Sequence, residues 1–262
     1  MSAAMHQIKS YLNHWLDAVD EHSIHSPFFF DFYNQVMKND NAADNRFTHI
    51  EALRQKLLVN NSALKITDLG APSAHFKDET RNIAEVAATS LCSPKYCRLL
   101  FRIVEQQQSA TVVELGTSMG LTSLYLALNP LTQVTTFEGN RALINIALTH
   151  FESFEMKNIT LVEGNIDSTL EGFIQNPAKI DFVFMDANHR YEPTMRYFNL
   201  LAKRISPKGI IVMDDIYHSK EMTQAWRELR KHELVYGSVD LFRCGILFFD
   251  PSLNRQHYTW SL

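Results

Sequence analysis

Two hydrophobic rhythms divide the chain. Up to about residue 107 apolar side chains recur at helical spacing. From residue 111 short apolar runs alternate with helical stretches. Ile8, Tyr11, Leu12, Trp15, Leu16 and Val19 mark one helical stripe, read as a packing face rather than a ligand site. The segment His22-Ser23-Ile24-His25-Ser26-Pro27 then leads into Phe28, Phe29, Phe30, Phe32 and Tyr33. Pro27 suits a helix start and Ser26 its N-cap, which predicts a loop followed by a core helix. The alternative is a flap whose His22 and His25 touch a substrate. Residues 38–48 are polar and predict a loop. Leu53, Leu57 and Leu58 predict a short helix, and residues 79–107 return to helical character. Asp68-Leu69-Gly70-Ala71-Pro72-Ser73 looks like a nucleotide loop, but lacks a second glycine, an adequate strand before it and a helix after it. It is read as a decoy.

The runs Thr111–Leu115, Val134–Glu138, Ile159–Glu163, Ile180–Asp186 and Gly209–Asp214 are β-rich and separated by helical patterns. That alternation predicts an α/β fold, a Rossmann-like and mostly parallel sheet with helices on both faces. Leu234–Phe242 and Gly245–Asp250 predict a closing strand pair. The division expected is a helical extension or cap over residues 1–95 and an α/β domain over 96–262.

Composition narrows the chemistry. The 262 residues carry a formal net charge of −4, which weighs against nucleic acid as the partner and favours a small-molecule substrate. Cys92, Cys97 and Cys244 form no CxxC pair. With no signal-peptide pattern and no apolar run of membrane-spanning length, this points to a cytoplasmic protein with no membrane partner.

The strand Thr111–Leu115 runs into Gly116-Thr117-Ser118-Met119-Gly120-Leu121-Thr122, and a helical pattern follows. A glycine turn at the carboxyl end of the first strand is the cofactor crevice of a doubly wound sheet. The loop is GxxxG with Glu114 two residues before it, not the GxGxxG of a dinucleotide fingerprint. Glu114 suits a ligand with an ammonium group better than a pyrophosphate, which favours a bare helix N-terminus. The bland alternative is a strand–helix turn with no ligand. Glu138, about 20 residues further on, suits ribose hydroxyls. Gly164-Asn165-Ile166-Asp167 could border an adenine, with Asp167 equally readable as a helix cap.

These features, with Phe184-Met185-Asp186 and Met213-Asp214-Asp215, occur in the order seen in class I S-adenosylmethionine (SAM)-dependent methyltransferases. More narrowly, residues 95–250 resemble the catechol and caffeoyl-CoA O-methyltransferase family. The resemblance implies a seven-stranded sheet with its last strand antiparallel. It implies SAM as cofactor, held by Glu114, Gly116, Ser118, Gly120, Thr122, Glu138, Gly139, Asn165, Ile166, Asp167, Asp186 and Ala187. A homodimer is also implied, although no stripe in the sequence marks its interface. The first 60 or so residues depart from the family's short N-terminal helices.

Two strands end in acids, Asp186 and the pair Asp214-Asp215. Carboxylates at neighbouring strand ends repel unless protonated or bridged by a cation, and oxygen ligands favour Mg²⁺ or Mn²⁺. In the resembling family the ligands are Asp, Asp and Asn, holding Mg²⁺ or Ca²⁺. Asp186 and Asp214 match, and Asp215 stands in place of the asparagine. A metal-free arrangement, with one carboxylate capping a helix, stays open. His189, three residues after Asp186, lies about where catechol-type members carry a lysine base. A histidine there could take a hydroxyl proton, or be a surface loop residue. Arg190, Tyr191, Tyr217 and His218 are weaker pocket candidates. The implied activity is O-methylation of a catechol- or phenol-like hydroxyl. The alternatives are methylation of a hydroxylated tRNA base and a SAM-binding module without turnover.

Overall fold

The computed structural model describes residues 3–40, 42–65 and 80–261. The decoy segment Asp68–Ser73 lies outside the described residues.

Helices α1 (Ala3–Asp17) and α2 (Pro27–Phe32) open the chain, and a π-helical turn, Tyr33–Met37, extends α2. Pro27 occupies the first turn of α2 as expected, and Ser26 is its N-cap residue without a side-chain cap bond. Helix α3 (Thr48–Leu58) follows, then a small antiparallel pair, β1 (Ala63–Lys65) and β2 (Thr80–Asn82). Asn82 and Glu85 close a reciprocal capping box on α4 (Ile83–Ser90). Ser93 and Pro94 start α5 (Pro94–Gln106). The alternating region then gives β3 (Thr111–Leu115), α6 (Leu121–Leu126), β4 (Gln133–Glu138), α7 (Arg141–Ser153), β5 (Ile159–Glu163) and α8 (Ile166–Ile174). It continues through β6 (Ile180–Met185), α9 (Tyr191–Ala202), β7 (Ile205–Asp214) and α10 (Lys220–Leu229). The chain closes with β8 (Gly237–Asp240), β9 (Cys244–Phe248) and β10 (Gln256–Thr259).

The chain divides into two compact units, residues 39–169 and a second built from 1–38 with 170–262. In the first, β3, β4 and β5 are parallel neighbours, with Val113 opposite Thr135 and Thr135 opposite Thr160. Val112, Val113 and Leu115 are fully buried, so β3 is covered on both faces, as a central parallel strand is, while β5 is more open.

In the second unit β6 and β7 run parallel, with a register shift between Ile180 and Phe182. β9 is antiparallel to both β7 and β8, and β10 runs parallel to β8. The α/β, mostly parallel architecture is as expected, with a correction in number. The three strands of one unit and the five of the other make eight, not seven, because the polar segment Gln256–Thr259 pairs as β10. Phe29, Phe32, Phe248, Tyr258 and Trp260 form an aromatic cluster under this edge, with ring centroids 5.1 to 6.4 Å apart. Phe29 and Phe32 are therefore core, as the composition of the segment predicts, while Phe30 is exposed.

Helix α1 reverses the expectation for its stripe. Ile8, Tyr11, Leu12, Trp15 and Leu16 lie largely on the outside, each 54% to 70% exposed, and of the five Tyr11 sets its ring edge against Phe242 at 5.2 Å. Polar residues face the chain instead. His14 Nε2 lies 3.4 Å from the buried Asp240 carboxylate, His6 hydrogen-bonds the Thr223 hydroxyl, and Gln7 donates to the His218 carbonyl. Asp240 is already held by the Tyr217 hydroxyl and the Trp226 indole N–H, and this polar anchor selects the inner face of α1.

No helix among the described residues is long and apolar enough to cross a membrane.

Candidate active site

The glycine loop after β3 folds through three left-handed residues: Gly116 at φ 102°, Ser118 at 49° and Gly120 at 82°. Beneath it Glu114 is fully buried and Oε2 accepts from the hydroxyls of Ser123 and Thr136. Glu114 therefore organises the loop from below through these two hydroxyls. The Gly116 and Thr117 amides both donate to the Phe137 carbonyl, tying the loop to β4. His150 completes the support. Burial lowers its pKa, and its Nδ1 lies 2.8 Å from the Met119 carbonyl. Nothing in the sequence around His150 marked that role, which depends on α7 lying against the loop.

Gly120 is required on two counts. A Cβ there would lie 2.7 Å from Phe151 Cε1 and 3.2 Å from Ala147 Cβ, and its φ disfavours any L side chain. Gly120→Ala is expected to cost about 1–3 kcal/mol. That corresponds to a melting temperature lower by roughly 3 to 10 °C, and thermal unfolding followed by circular dichroism checks it.

Glu138 ends β4 with both oxygens engaged by backbone. Oε2 accepts from Ser118 N and Oε1 from Gly139 N and Asn140 N, each at 2.9 Å. Burial pushes its carboxyl above the ordinary value, against the pull of those three donors. One carboxylate thus fixes the turn after β3 and the turn after β4 together. After β5, Gly164 sits at φ 131° and its amide donates to the Glu138 carbonyl. Asn165, not Asp167, caps α8. Its Oδ1 accepts from Asp167 N, which leaves Asp167 exposed in the first helical turn. Ile166 and Gly139 are half-buried and Thr122 lies in the first turn of α6. These residues form a left-handed, glycine-permitted cradle with a carboxylate at its rim. That arrangement fits a ligand carrying hydroxyls, such as the ribose of SAM.

The other unit gathers the acids. Asp186 and Asp214, at the ends of β6 and β7, bring carboxylate oxygens within 4.8 Å of each other. Asp186 is half-buried and Asp214 is 1% exposed. Arg243, which the sequence reading did not single out, grips Asp214 with both ends of its guanidinium. Its Nε donates to Oδ1 at 3.2 Å and its Nη2 to Oδ2 at 2.9 Å. The register explains this: Cys244 pairs with Asp214, so the residue before it turns over the strand end. Burial and the charge of Asp186 push Asp214 up to about 7, while Arg243 pulls the other way.

His189 follows Ala187 and Asn188 in a tight turn, its amide donating to the Ala187 carbonyl at 2.9 Å. Asn188 at φ 69°, His189 at 40° and Asp215 at 53° all take left-handed conformations that are costly without glycine. The turn places His189 Nε2 3.4 Å from Asp186 Oδ1. Burial lowers the His189 pKa, but the Asp186 hydrogen bond and the charges of Asp186, Asp215 and Asp214 outweigh it, raising the group to about 9.

The three-carboxylate set of the sequence reading does not close. Asp215 diverges toward His218, whose Nδ1 is 3.9 Å from Oδ2, and Asp214 spends both oxygens on Arg243. Mg²⁺ is held by one or two carboxylates, with water or substrate oxygens completing its shell. Here Arg243 already engages both Asp214 oxygens, so a cation at this pair would compete with its guanidinium. Of the weaker candidates, Tyr191 donates to Glu228, Tyr217 to Asp240, and Arg190 is exposed.

Residues 113–216 match the family model of a methyltransferase domain. Solved structures of similar fold include the O-methyltransferase of Bacillus cereus in complex with SAH. It is 15% identical, with 78% of this chain and 90% of that one covered at a TM-score of 0.57. The SAH-bound methyltransferase PaMTH1 of Podospora anserina is 12% identical over 79% and 88%, with a TM-score of 0.59. The O-methyltransferase TomG of Streptomyces achromogenes, in complex with SAM, is 19% identical over 61% and 81%, with a TM-score of 0.52. The glycine loop, the cradle after β4 and the paired strand-end acids lie within the residues that match the methyltransferase-domain model, and the chain has the class I SAM-dependent methyltransferase fold.

Proposed function

We propose that this protein transfers a methyl group from SAM to a hydroxyl oxygen of a small acceptor, with His189 as proton acceptor and without a resident divalent metal. The observation that carries the proposal is the strained turn that holds His189 on Asp186 at a strand end. SAM, when bound, supplies an electrophilic methyl group on a sulfonium centre. Gly116, Gly120 and Glu138 would hold it, the glycines by admitting it close to backbone and Glu138 by fixing both turns.

The remaining work falls to the second unit. Asp186 accepts a hydrogen bond from His189 Nε2, which sets the ring orientation and stabilises the imidazolium formed when an acceptor hydroxyl gives up its proton. Arg243 compensates the charge of Asp214, the task a cation performs in the resembling family. Positioning the acceptor oxygen for in-line attack then supplies most of the rate. The O-methyltransferases of Bacillus cereus and Streptomyces achromogenes, whose fold is similar, support oxygen as the acceptor atom, and the net charge of −4 supports a small molecule over RNA.

The test is SAM turnover against a panel of catechols and phenols, run with EDTA and with added Mg²⁺. Turnover of a panel member that is unchanged by EDTA is expected. Loss in EDTA with recovery in Mg²⁺ would overturn the metal-free arrangement alone. SAH binding with no turnover of any panel member would leave the non-catalytic module as the better reading.

A further inference from the structure

We infer that the outward face of α1 is a self-association surface, on which the α1 helix of a second copy of this chain packs. Met5, Ile8, Leu12 and Trp15 follow one another at intervals of three, four and three residues, the a and d spacing of a helix seam. Leu16 and Tyr11 flank them at the adjoining e and g positions, Tyr11 with one edge of its ring on Phe242 of the same chain. All six are exposed, by 57%, 63%, 54%, 63%, 54% and 70% for Met5, Ile8, Leu12, Trp15, Tyr11 and Leu16 respectively. The face that a two-helix seam leaves to solvent is here turned toward the chain. Ser10 and His14 are buried, and His6 and Gln7 make hydrogen bonds to Thr223 and His218. A surface helix normally shows the opposite arrangement, apolar inward and polar outward.

Size favours a second copy. Taking on the order of 200 Å² for each large side chain, six that are more than half exposed present roughly 700 Å² per chain. A stable pairwise interface needs about 800 Å² from each partner, so the stripe meets most of that requirement alone. Exposed apolar side chains elsewhere, such as Val59, Leu131 and Leu148, belong to other segments and are of the scattered kind that needs no partner.

Pattern and charge separate a second copy from a lipid surface. An interfacial membrane helix carries Lys and Arg along a free polar face. In α1 the polar face is occupied by the protein itself, and Lys9 is the only Lys or Arg in the helix. A narrow a/d seam matches another helix with the same seam, and a two-fold axis lets one patch serve both copies.

The experiment is sedimentation velocity on the full chain between about 1 and 100 µM, paired with acrylamide quenching of tryptophan. Trp226 and Trp260 are fully buried, so quenchable emission reports Trp15. Wild type is expected to sediment as a dimer, with Trp15 quenching at least twofold weaker at the high concentration. Leu12→Glu and the milder Leu12→Gln are expected to be monomers of unchanged circular dichroism. A monomeric wild type at 100 µM overturns the proposal, as does a dimer that survives both substitutions with Trp15 still fully quenchable. A monomer that cosediments with phosphatidylglycerol vesicles only when Leu12 is intact also overturns it, in favour of lipid. SAH binding is read on the same samples and does not depend on this outcome, so its failure would concern the methyltransferase proposal instead.

Discussion

Glu138→Ala is expected to weaken binding of S-adenosylhomocysteine by about 100-fold or more, a loss of about 2.7 kcal/mol, measured by isothermal titration. The size follows from what the carboxylate holds. It accepts three backbone N–H groups, one from the loop after β3 and two from the turn after β4. A hydrogen bond to a charged group contributes about 1.5–3 kcal/mol. Deleting the side chain leaves three part-buried donors to find other partners, and the two turns relax independently. The ribose hydroxyls would then lose both their acceptor and the shape around it. Glu138→Gln keeps the volume but turns an NH₂ group toward N–H donors, so it should recover only part of the loss, to about 10-fold below wild type. Binding by the alanine variant within threefold of wild type would remove Glu138 from the cofactor site. A collapse of its circular dichroism would show that the residue serves the fold first.

His189→Gln is expected to reduce kcat by about 10² to 10⁴, the usual worth of a positioned proton acceptor. Affinity for S-adenosylhomocysteine should be unchanged. The pH dependence is the sharper readout. A histidine raised to about 9 is largely imidazolium at neutral pH. Activity in the wild type should therefore climb with pH and level off above about 9, and the glutamine variant should lose that limb. Stability moves the other way. A folded pKa above the unfolded value of about 6.5 means that His189 stabilises the fold fully below pH 6.5. The contribution disappears as pH rises through about 9. The melting-temperature deficit of His189→Gln should accordingly be largest near pH 6 and vanish near pH 10. A wild-type profile flat from pH 7 to 10, with the variant parallel to it, would exclude His189 as the base.

The strand, glycine turn and helix of the candidate cofactor loop are legible in sequence because their signals are local. A five-residue apolar strand, a glycine turn and an acid about 20 residues on all sit within one strand–helix–strand span. β3 and β5 begin and end where the pattern put them. β7 starts four residues earlier than expected, at Ile205, because Ile205 pairs with Ile180 and the ladder resumes at Ile210, shifting register across the turn-like Pro207-Lys208-Gly209. β10 is short and polar on alternate positions, and only its pairing with β8 reveals it as a strand. The acidic half was half legible. Asp186 and Asp214 could be placed at strand ends, but their partner could not, because Arg243 reaches Asp214 only through the antiparallel register of β7 and β9. The α1 stripe was visible, but its direction was not. Periodicity reports that one face is apolar, and the anchoring of His14 on Asp240 decides which way that face turns.

The division of the chain has a consequence for how it is made. Residues 39–169 form a continuous unit that can complete its contacts as soon as it leaves the ribosome. The other unit joins residues 1–38 to residues 170–262, so its earliest segment is synthesised long before its partners. Phe29 must wait for Phe248 and Trp260. At about 5 to 20 residues per second that interval is roughly 10 to 45 seconds. For that time α2 offers a run of phenylalanines, and α1 its apolar stripe, to any hydrophobic surface nearby. Slowing elongation late in the message would lengthen the exposure, and a chaperone that shields nascent chains would matter most for the first 38 residues.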